Sequence, residues 1–206
     1  MALSPVAVRF LKSLLGNAYA ELLKFFQYDT TLITNGAKAG TGVTVNEIVT
    51  GVVHHTILTF TNVAVPLVDE AAVVAYGSLK VYDFPAGNII VLGAVLDTAL
   101  TKSSAGVNAN FDGDVGVGTV AASNNGTLAS TEQDIIPTTA TPQASSGATT
   151  ADAISTAVAV LDGTATAKDV YVNLLVDDAD HDVTGTPCNL ILNGTLKITW
   201  INLGDK

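Results

Sequence analysis

Residues 76–97, YGSLKVYDFPAGNIIVLGAVLD, constrain the fold more than any other part of the chain, because they have the pattern of two strands joined by a turn. Apolar and polar side chains alternate between residues 78 and 84, the period of a half-buried strand. The turn residues Pro85, Gly87 and Asn88 follow; proline presets φ, whereas glycine and asparagine tolerate positive φ. Residues 89–96 are apolar on both faces, as expected of a strand inside a sandwich. The segment therefore predicts packed antiparallel strands.

The composition favours a protein whose surface meets other protein. Of the 206 residues, 48% are hydrophobic and only 14% are charged, against roughly 25% charged residues in ordinary soluble domains. The net charge of −10 argues against a nucleic-acid partner, which requires a basic patch. A single cysteine, Cys188, excludes an intrachain disulfide framework. No apolar run reaches the roughly 20 residues of a membrane helix, and no secretory signal is recognisable, so intracellular assembly is expected.

Residues 1–33 are predicted to form a helical N-terminal arm, with the helix itself over residues 4–27. Ser4 is a candidate N-cap and Pro5 occupies the first helical turn. Residues 1–27 carry a net charge of +2, which leaves −12 for the rest of the chain. The helix either packs on its own domain or inserts against another subunit. In the second case the interaction residues lie on its apolar stripe: Phe10, Leu14, Leu22 and Phe26.

Residues 34–42 form a predicted flexible linker, and residues 43–206 a predicted β-sandwich domain. Gly194 interrupts the last strand and predicts a bulge there, and Trp200 is expected in the core. Pro66 and residues 112–114 are expected in turns. The predicted strands are residues 43–49, 52–62, 78–84, 88–97, 107–111, 168–176 and 189–202.

A polar, low-complexity insertion is predicted near residues 123–150, as a long exposed loop or a flexible crossover. The segment 150–161, TADAISTAVAVL, is rich in alanine and favours a short helix, although a strand through its last four residues fits equally well. The fold class predicted from these patterns is mainly β: an antiparallel, jelly-roll-like β-sandwich preceded by a helical arm.

Combinations of reactive residues are few. His54 and His55 are adjacent, so in a strand they point to opposite faces and cannot bind one metal together. The glycines of residues 113–118 match no phosphate-binding fingerprint. One weak metal candidate remains, an acidic cluster that could bind Ca²⁺ through oxygen atoms but lacks EF-hand spacing: Asp177, Asp178, Asp180 and Asp182. We therefore predict no enzymatic activity, no catalytic residues and no cofactor.

Three stretches together resemble the head decoration (cement) proteins of tailed bacteriophages. They are HHTILTFTNVAVPLVDEAAVVAYGSLKVYDFPAGNIIVLGAVLD at residues 54–97, VLDGTATAKDVYVNLLVDDADHD at 160–182 and GTLKITWINLGDK at 194–206. The resemblance covers about half of the chain and brings no catalytic motif with it. It implies a protein on the capsid exterior, assembled in the host cytoplasm, that bridges capsomers as a cyclic homo-oligomer, often a trimer. Its partners would be the major capsid protein and further copies of itself.

Two other functions stay open at this point. One is a different structural role in the virion, as a minor capsid, tail or fibre protein. The other is a carbohydrate- or Ca²⁺-binding β module with residues 177–182 as its site.

Overall fold

The computed structural model describes residues 42–69, 74–123, 126–177, 183 and 188–204. The predicted helical arm, with Phe10, Leu14, Leu22 and Phe26, lies outside the described residues, as does the linker except for Gly42. The arm therefore stays a prediction. Within the described residues, no helix is long and apolar enough to cross a membrane.

The described part is built from strands that all pair in the antiparallel sense, which confirms the mainly antiparallel β prediction. The described part also contains one turn of 3₁₀ helix, Ser130–Glu132. The strands are β1 (Val43–Thr50), β2 (Val53–Val68), β3 (Val74–Asp83), β4 (Gly87–Lys102), β5 (Gly113–Gly118), β6 (Ile136–Thr141), β7 (Ala148–Thr150), β8 (Ala153–Ser155), β9 (Ala159–Gly163), β10 (Asp169–Asp177) and β11 (Asn189–Asn202).

The strands form one continuous sheet, which can be described as two parts joined through β2. The first part has the order β1-β2-β11-β4, with β7, β8 and β9 placed end to end along β4. The second part has the order β3-β10-β5-β6. The parts join where Leu67 and Val68, at the end of β2, pair with β3. A single hydrophobic cluster contains side chains from both parts, for example Leu196 and Val172, so the two parts enclose one core.

The long strands were predicted well because their alternation is strong, but β2 extends past its predicted end. Pro66, expected in a turn, lies within β2. Val63, Val65 and Leu67 remain buried on alternate positions on both sides of it. Pro66 pairs with Asn189, the first residue of β11, so it sits where the ladder ends and a missing N–H is tolerated.

The strand predicted at residues 107–111 is wrong, and the neighbouring residues 113–118 form β5 instead. Val107 makes only an isolated bridge to Val183. In β5 the valines are buried, and the intervening glycines allow close approach of backbone. A Cβ placed on Gly118 would lie 2.3 Å from the carbonyl oxygen of Thr131. The turn expected at residues 112–114 is wrong for Gly113 and Asp114, which begin β5, and Gly118 serves close packing between β5 and the 3₁₀ turn.

The helix favoured for residues 150–161 is wrong, and the alternative of a strand near its end is confirmed by β9. Ala153, Ser155 and Leu161 are buried, whereas Ile154 and Val160 between them are exposed. This period of two outweighs the helix propensity of alanine. The preceding polar region also contains ordered strands, β6 and β7, with Ile135 and Ile136 fully buried. The expectation of a loop is therefore wrong for those two strands.

Candidate functional site

An apolar surface lies on the outward side of β4, β8 and β9, and we call it the edge face. β8 and β9 lie at the sheet edge, hydrogen-bonded to β4. Its members are among the most exposed large hydrophobic residues described, with Ile154 and Val160 at 64% and 72% exposure. The edge face consists of Leu92, Val95, Ile154, Val158 and Val160.

Strand pairing places Ile154 and Val160 beside outward residues of β4, and Val158 lies in the connection between β8 and β9. Val95 pairs with Ile154, and Ile90 pairs with Val160, so β4 aligns the outward positions of the two short strands. The alternate residues of the same strands face the core, among them Leu96 and Leu161. Single exposed hydrophobic residues are normal, whereas a group of them on one sheet face marks an interaction surface.

Two carboxylates border the edge face. Asp97 and Asp152 line a shallow depression with Val95 and Ile154, and the depression has a volume of about 460 Å³. Asp152 is fixed there because its Oδ1 accepts a hydrogen bond of 3.0 Å from the backbone N–H of Thr98. The surface thus combines apolar contact area with negative charge at its margin, which suits an apolar segment that carries positive charge.

Only one member of the predicted metal cluster is described. Asp177 ends β10, and its backbone N–H donates to the carbonyl of Asp112 at 3.1 Å. It lines a cavity of about 280 Å³ together with Asp112 and Asp114. Burial, and then the charges of Asp177 and Asp112, raise the pKa of Asp114. Asp178, Asp180 and Asp182 lie outside the described residues.

The structure gives no metal ligand set in the part of the chain that it describes. No group of three or more His, Cys, Asp or Glu side chains there could hold a metal ion. The prediction for the whole acidic cluster stays open.

The two adjacent histidines point to opposite faces, as predicted. The His54 ring stacks on Trp200, with centroids 4.0 Å apart and an interplanar angle of 18°. The Nδ1 of His55 lies 3.1 Å from Oγ1 of Thr199 on the other side of the strand. Trp200 is buried, which confirms its predicted place in the core.

Sequence reasoning missed two features of this region. Glu47 is buried in β1, and the signal was present, since Val43, Val45 and Glu47 share one side at period two. The edge face was missed because residues 150–161 were taken to favour a helix. Had they been read at period two, Ile154 and Val160 would have stood out as apolar residues on an outward face.

Comparison with known proteins yields no matching family model, no matching curated protein and no matching solved structure.

Proposed function

We propose that this chain is a structural virion protein that decorates and stabilises a tailed-phage capsid as a cyclic homo-oligomer. The observation that carries the proposal is the edge face, five exposed apolar side chains on β4, β8 and β9 and in the connection between β8 and β9. Leaving such a surface in water is unfavourable, and covering it with protein lowers the free energy. The resemblance of residues 54–97 and 194–206 to capsid decoration proteins supplies the biological setting.

The occupant of the edge face, in this proposal, is the N-terminal arm of a neighbouring copy. The arm carries an apolar stripe, Phe10, Leu14, Leu22 and Phe26, that needs a covering surface. Its segment 1–27 has a net charge of +2, complementary to Asp97 and Asp152 at the margin of the edge face. Exchange of arms between copies gives a heterologous contact, which closes into a ring when the rotation allows.

The β body acts as a stiff support for these contacts. In our proposal it is a jelly-roll-like sandwich whose ladder satisfies the backbone polar groups and keeps the edge face flat and fixed. Many identical weak contacts, repeated over a shell, give avidity without a tight individual contact. No chemical step is required of such a protein.

Co-sedimentation with capsids tests the proposal. Full-length protein is mixed with capsids of the phage that encodes it, and the bound copies are counted against the major capsid protein. We expect saturation at a fixed ratio, with density on the outer shell in electron micrographs. Density on a tail or fibre would reject decoration in favour of one of the other virion roles. Absence of the protein from the particle would reject decoration and those other roles alike.

A substitution in the arm tests the proposed occupant. Full-length Leu14→Ser/Leu22→Ser should lower capsid occupancy and oligomer mass together, because the stripe loses its apolar contact area. A matched control is Ser13→Ala/Asn17→Ala, which changes two polar residues of the same segment. Unchanged occupancy and mass in the stripe variant would reject the arm as the occupant.

A further inference from the structure

The outward side of the first sheet part carries a continuous row of four apolar side chains, which we call the outer row. Val53 on β2 pairs with Ile201 on β11, and Ile201 pairs in turn with Ile90 on β4. Ile90 pairs with Val160 on β9. The four residues stand side by side on four neighbouring strands, so the apolar surface of the edge face continues across the sheet as far as β2.

The alternation of burial shows that the outer row points away from the core. Trp200 and Leu161, each next to a member of the row in its own strand, are buried in the core. Successive side chains of a strand point to opposite faces, so the row itself faces outward. Val160 is highly exposed, and the other three members are half-buried. Val52 and Leu203, which adjoin β2 and β11, are exposed as well and widen this apolar end of the face.

The same face is polar at its other end. Thr59 on β2 pairs with Thr195 on β11, which pairs with Asp97 on β4, and these side chains also point outward. Covering the face with an apolar partner therefore lowers the free energy chiefly at the end that holds the outer row. An occupant of the row must reach across about 14 Å, which is three strand spacings of about 4.8 Å. It must be an extended apolar surface, because a single anchoring side chain is too small.

The second sheet part shows how this fold covers an outward face. Leu175, on the outward side of β10, packs with Ala122 and Leu128 from the connection between β5 and β6. In the described part of the chain, by contrast, no member of the outer row belongs to a hydrophobic cluster. The cover of the outer row must come from a segment beyond the described residues or from another molecule.

The N-terminal arm has the length and the pattern that the outer row requires. Residues 1–41 precede Gly42, the first described residue, so a long stretch of chain begins at the edge of this sheet part. In the predicted helix, the apolar stripe from Phe10 to Phe26 is about 24 Å long at 1.5 Å per residue. The stripe is therefore long enough to contact all four strands of the row.

The charges of the face also favour the arm. Asp162, exposed on β9 two residues after Val160, adds a third outward carboxylate to Asp97 and Asp152. Lys197 of β11 is a cation on the same face, so the three carboxylates outnumber it. Residues 1–27 carry a net charge of +2 and complement this excess.

We propose that the N-terminal arm covers the outer row, so that its docking site extends from the edge face across β4 and β11 to Val53 on β2. The inference rests on the proposed function, in which a neighbouring copy supplies the arm. It adds two strands to the site, and it makes Val53 and Ile201 contact residues although both lie away from the edge face. One docked arm then holds four strands of its partner.

Photocrosslinking of the full-length protein locates the arm. The photoreactive residue p-benzoylphenylalanine replaces Val53 in one sample and Thr59 in the control, which lies on the same face of β2 at its polar end. Each probe-bearing protein is mixed with an excess of ¹⁵N-labelled wild type, and the copies exchange before irradiation. We expect crosslinks to residues 4–27 from the first probe and none from the second, and the crosslinked arm peptides should carry the ¹⁵N label.

The outcomes separate this inference from the proposed function. Arm peptides without the label would support the docking site but reject a neighbouring copy as the source of the arm. Crosslinks from the Val53 probe to another part of a second copy or to the capsid protein, or equal yields from the two probes, would overturn the docking site. Leu14→Ser/Leu22→Ser would still decide whether the arm is needed for assembly.

A charge placed in the outer row gives an independent measurement. Ile201→Asp should raise the dissociation constant of the oligomer on the order of tenfold or more, because the carboxylate loses its water under the arm. Thr195→Asp, on the same strand and face but at the polar end, is the control and should leave the constant unchanged. An unchanged constant in folded Ile201→Asp would overturn the docking site, and the crosslinks decide the matter should this variant fail to fold.

Discussion

At the scale of single residues, the structure is specified most sharply where a polar side chain is fully buried and fully bonded. Asn173 on β10 has no exposed surface. Its Nδ2 donates to the carbonyls of Val120 and Glu132, at 2.9 and 2.7 Å. Its Oδ1 accepts from the hydroxyl of Ser78 at 2.7 Å and from the N–H of Ala122 at 3.0 Å. The side-chain amide of Asn173 thus holds the connection between β5 and the 3₁₀ turn against the sheet through hydrogen bonds.

Replacing Asn173 with alanine should destabilise the protein by about 3 kcal/mol. The substitution leaves several buried donors and acceptors without partners, and each costs about 1 kcal/mol or more. Chemical denaturation gives the free energy of unfolding. Asn46→Ala, on the exposed side of β1, is the control and should stay within about 0.5 kcal/mol of the wild type. Equal effects at the two positions would contradict the bonding role assigned to Asn173.

The raised pKa of Asp114 predicts how the stability of the protein changes with pH. Its pKa is raised from 3.8 by burial and by Asp177 and Asp112, so the folded state holds its proton more tightly than the unfolded chain. Stability therefore falls as the pH rises above about 3.8 and Asp114 ionises. Asp114→Asn, which is always neutral, should be more stable at pH 7 because it removes the cost of burying a carboxylate beside Asp177 and Asp112; the gain should be only a few tenths of a kcal/mol, since solvent reaches the group.

The gain from Asp114→Asn should vanish when the pH is lowered below 3.8, where the wild-type carboxyl is also neutral.

Asp162 should give the opposite dependence of stability on pH, because hydrogen bonds from Thr164 lower its pKa. Asp162→Asn should lose stability at neutral pH and recover toward the wild type in acid. Denaturation curves at pH 3 and pH 7 decide both signs. A gain for Asp114→Asn that is equal at the two pH values would refute ionisation of the partly buried carboxyl as its cause.

At the scale of elements, alternation of apolar and polar residues located the long strands, whereas the errors fell at Pro66, in the glycine-rich β5 and in the short strands of residues 150–161. The bulge predicted at Gly194 is confirmed, since the pairing of β11 with β2 shifts register between Leu192 and Gly194. The strand β5 was missed because a turn was expected at residues 112–114, where it begins, and Gly118 at its end lies against the distant Thr131 and Glu132. Long-range contacts of this kind leave no local pattern.

The same limit applies to the candidate site. Ile154 and Val160 belong to short strands whose alternation spans only a few residues, so a helix competed with the strand in the sequence. Their common face exists only because β4 pairs with both β8 and β9. The burial of Glu47 could have been predicted from the period-two pattern of β1. Its contact with Tyr82, however, joins residues 35 positions apart in the sequence. Such a contact follows from the fold and cannot be read from either strand alone.

Gly194→Ala tests the bulge directly. Gly194 has φ of +130°, and an added Cβ would lie 2.3 Å from the carbonyl oxygen of Asp97, so both backbone strain and a clash with β4 arise. We expect a loss of about 3 kcal/mol or more in the free energy of unfolding. Gly51→Ala is the matched control, because φ is +65° there and nothing lies within 4 Å of the added methyl group. Its cost should be about 1 kcal/mol, and similar losses at both sites would contradict the steric account.

At the scale of the whole molecule, the proposed function depends on the edge face rather than on any reactive group. A monomer with five exposed apolar side chains at this sheet edge would leave that area in water. We therefore expect the full-length protein to self-associate, and negative charge on the edge face to prevent it. The two substitutions place charge in the middle of the apolar contact, where it must lose its water, and desolvation of a charge costs several kcal/mol.

Sedimentation velocity of the full-length protein tests this central claim most directly. The wild type should sediment as one closed oligomer whose mass does not grow with concentration. Ile154→Asp/Val160→Asp should sediment at the mass of one chain while keeping the wild-type circular dichroism. Thr101→Asp, an exposed substitution farther along β4, should leave the oligomer intact. A wild type that sediments as a single chain, or a double variant that keeps the oligomer, would contradict the account.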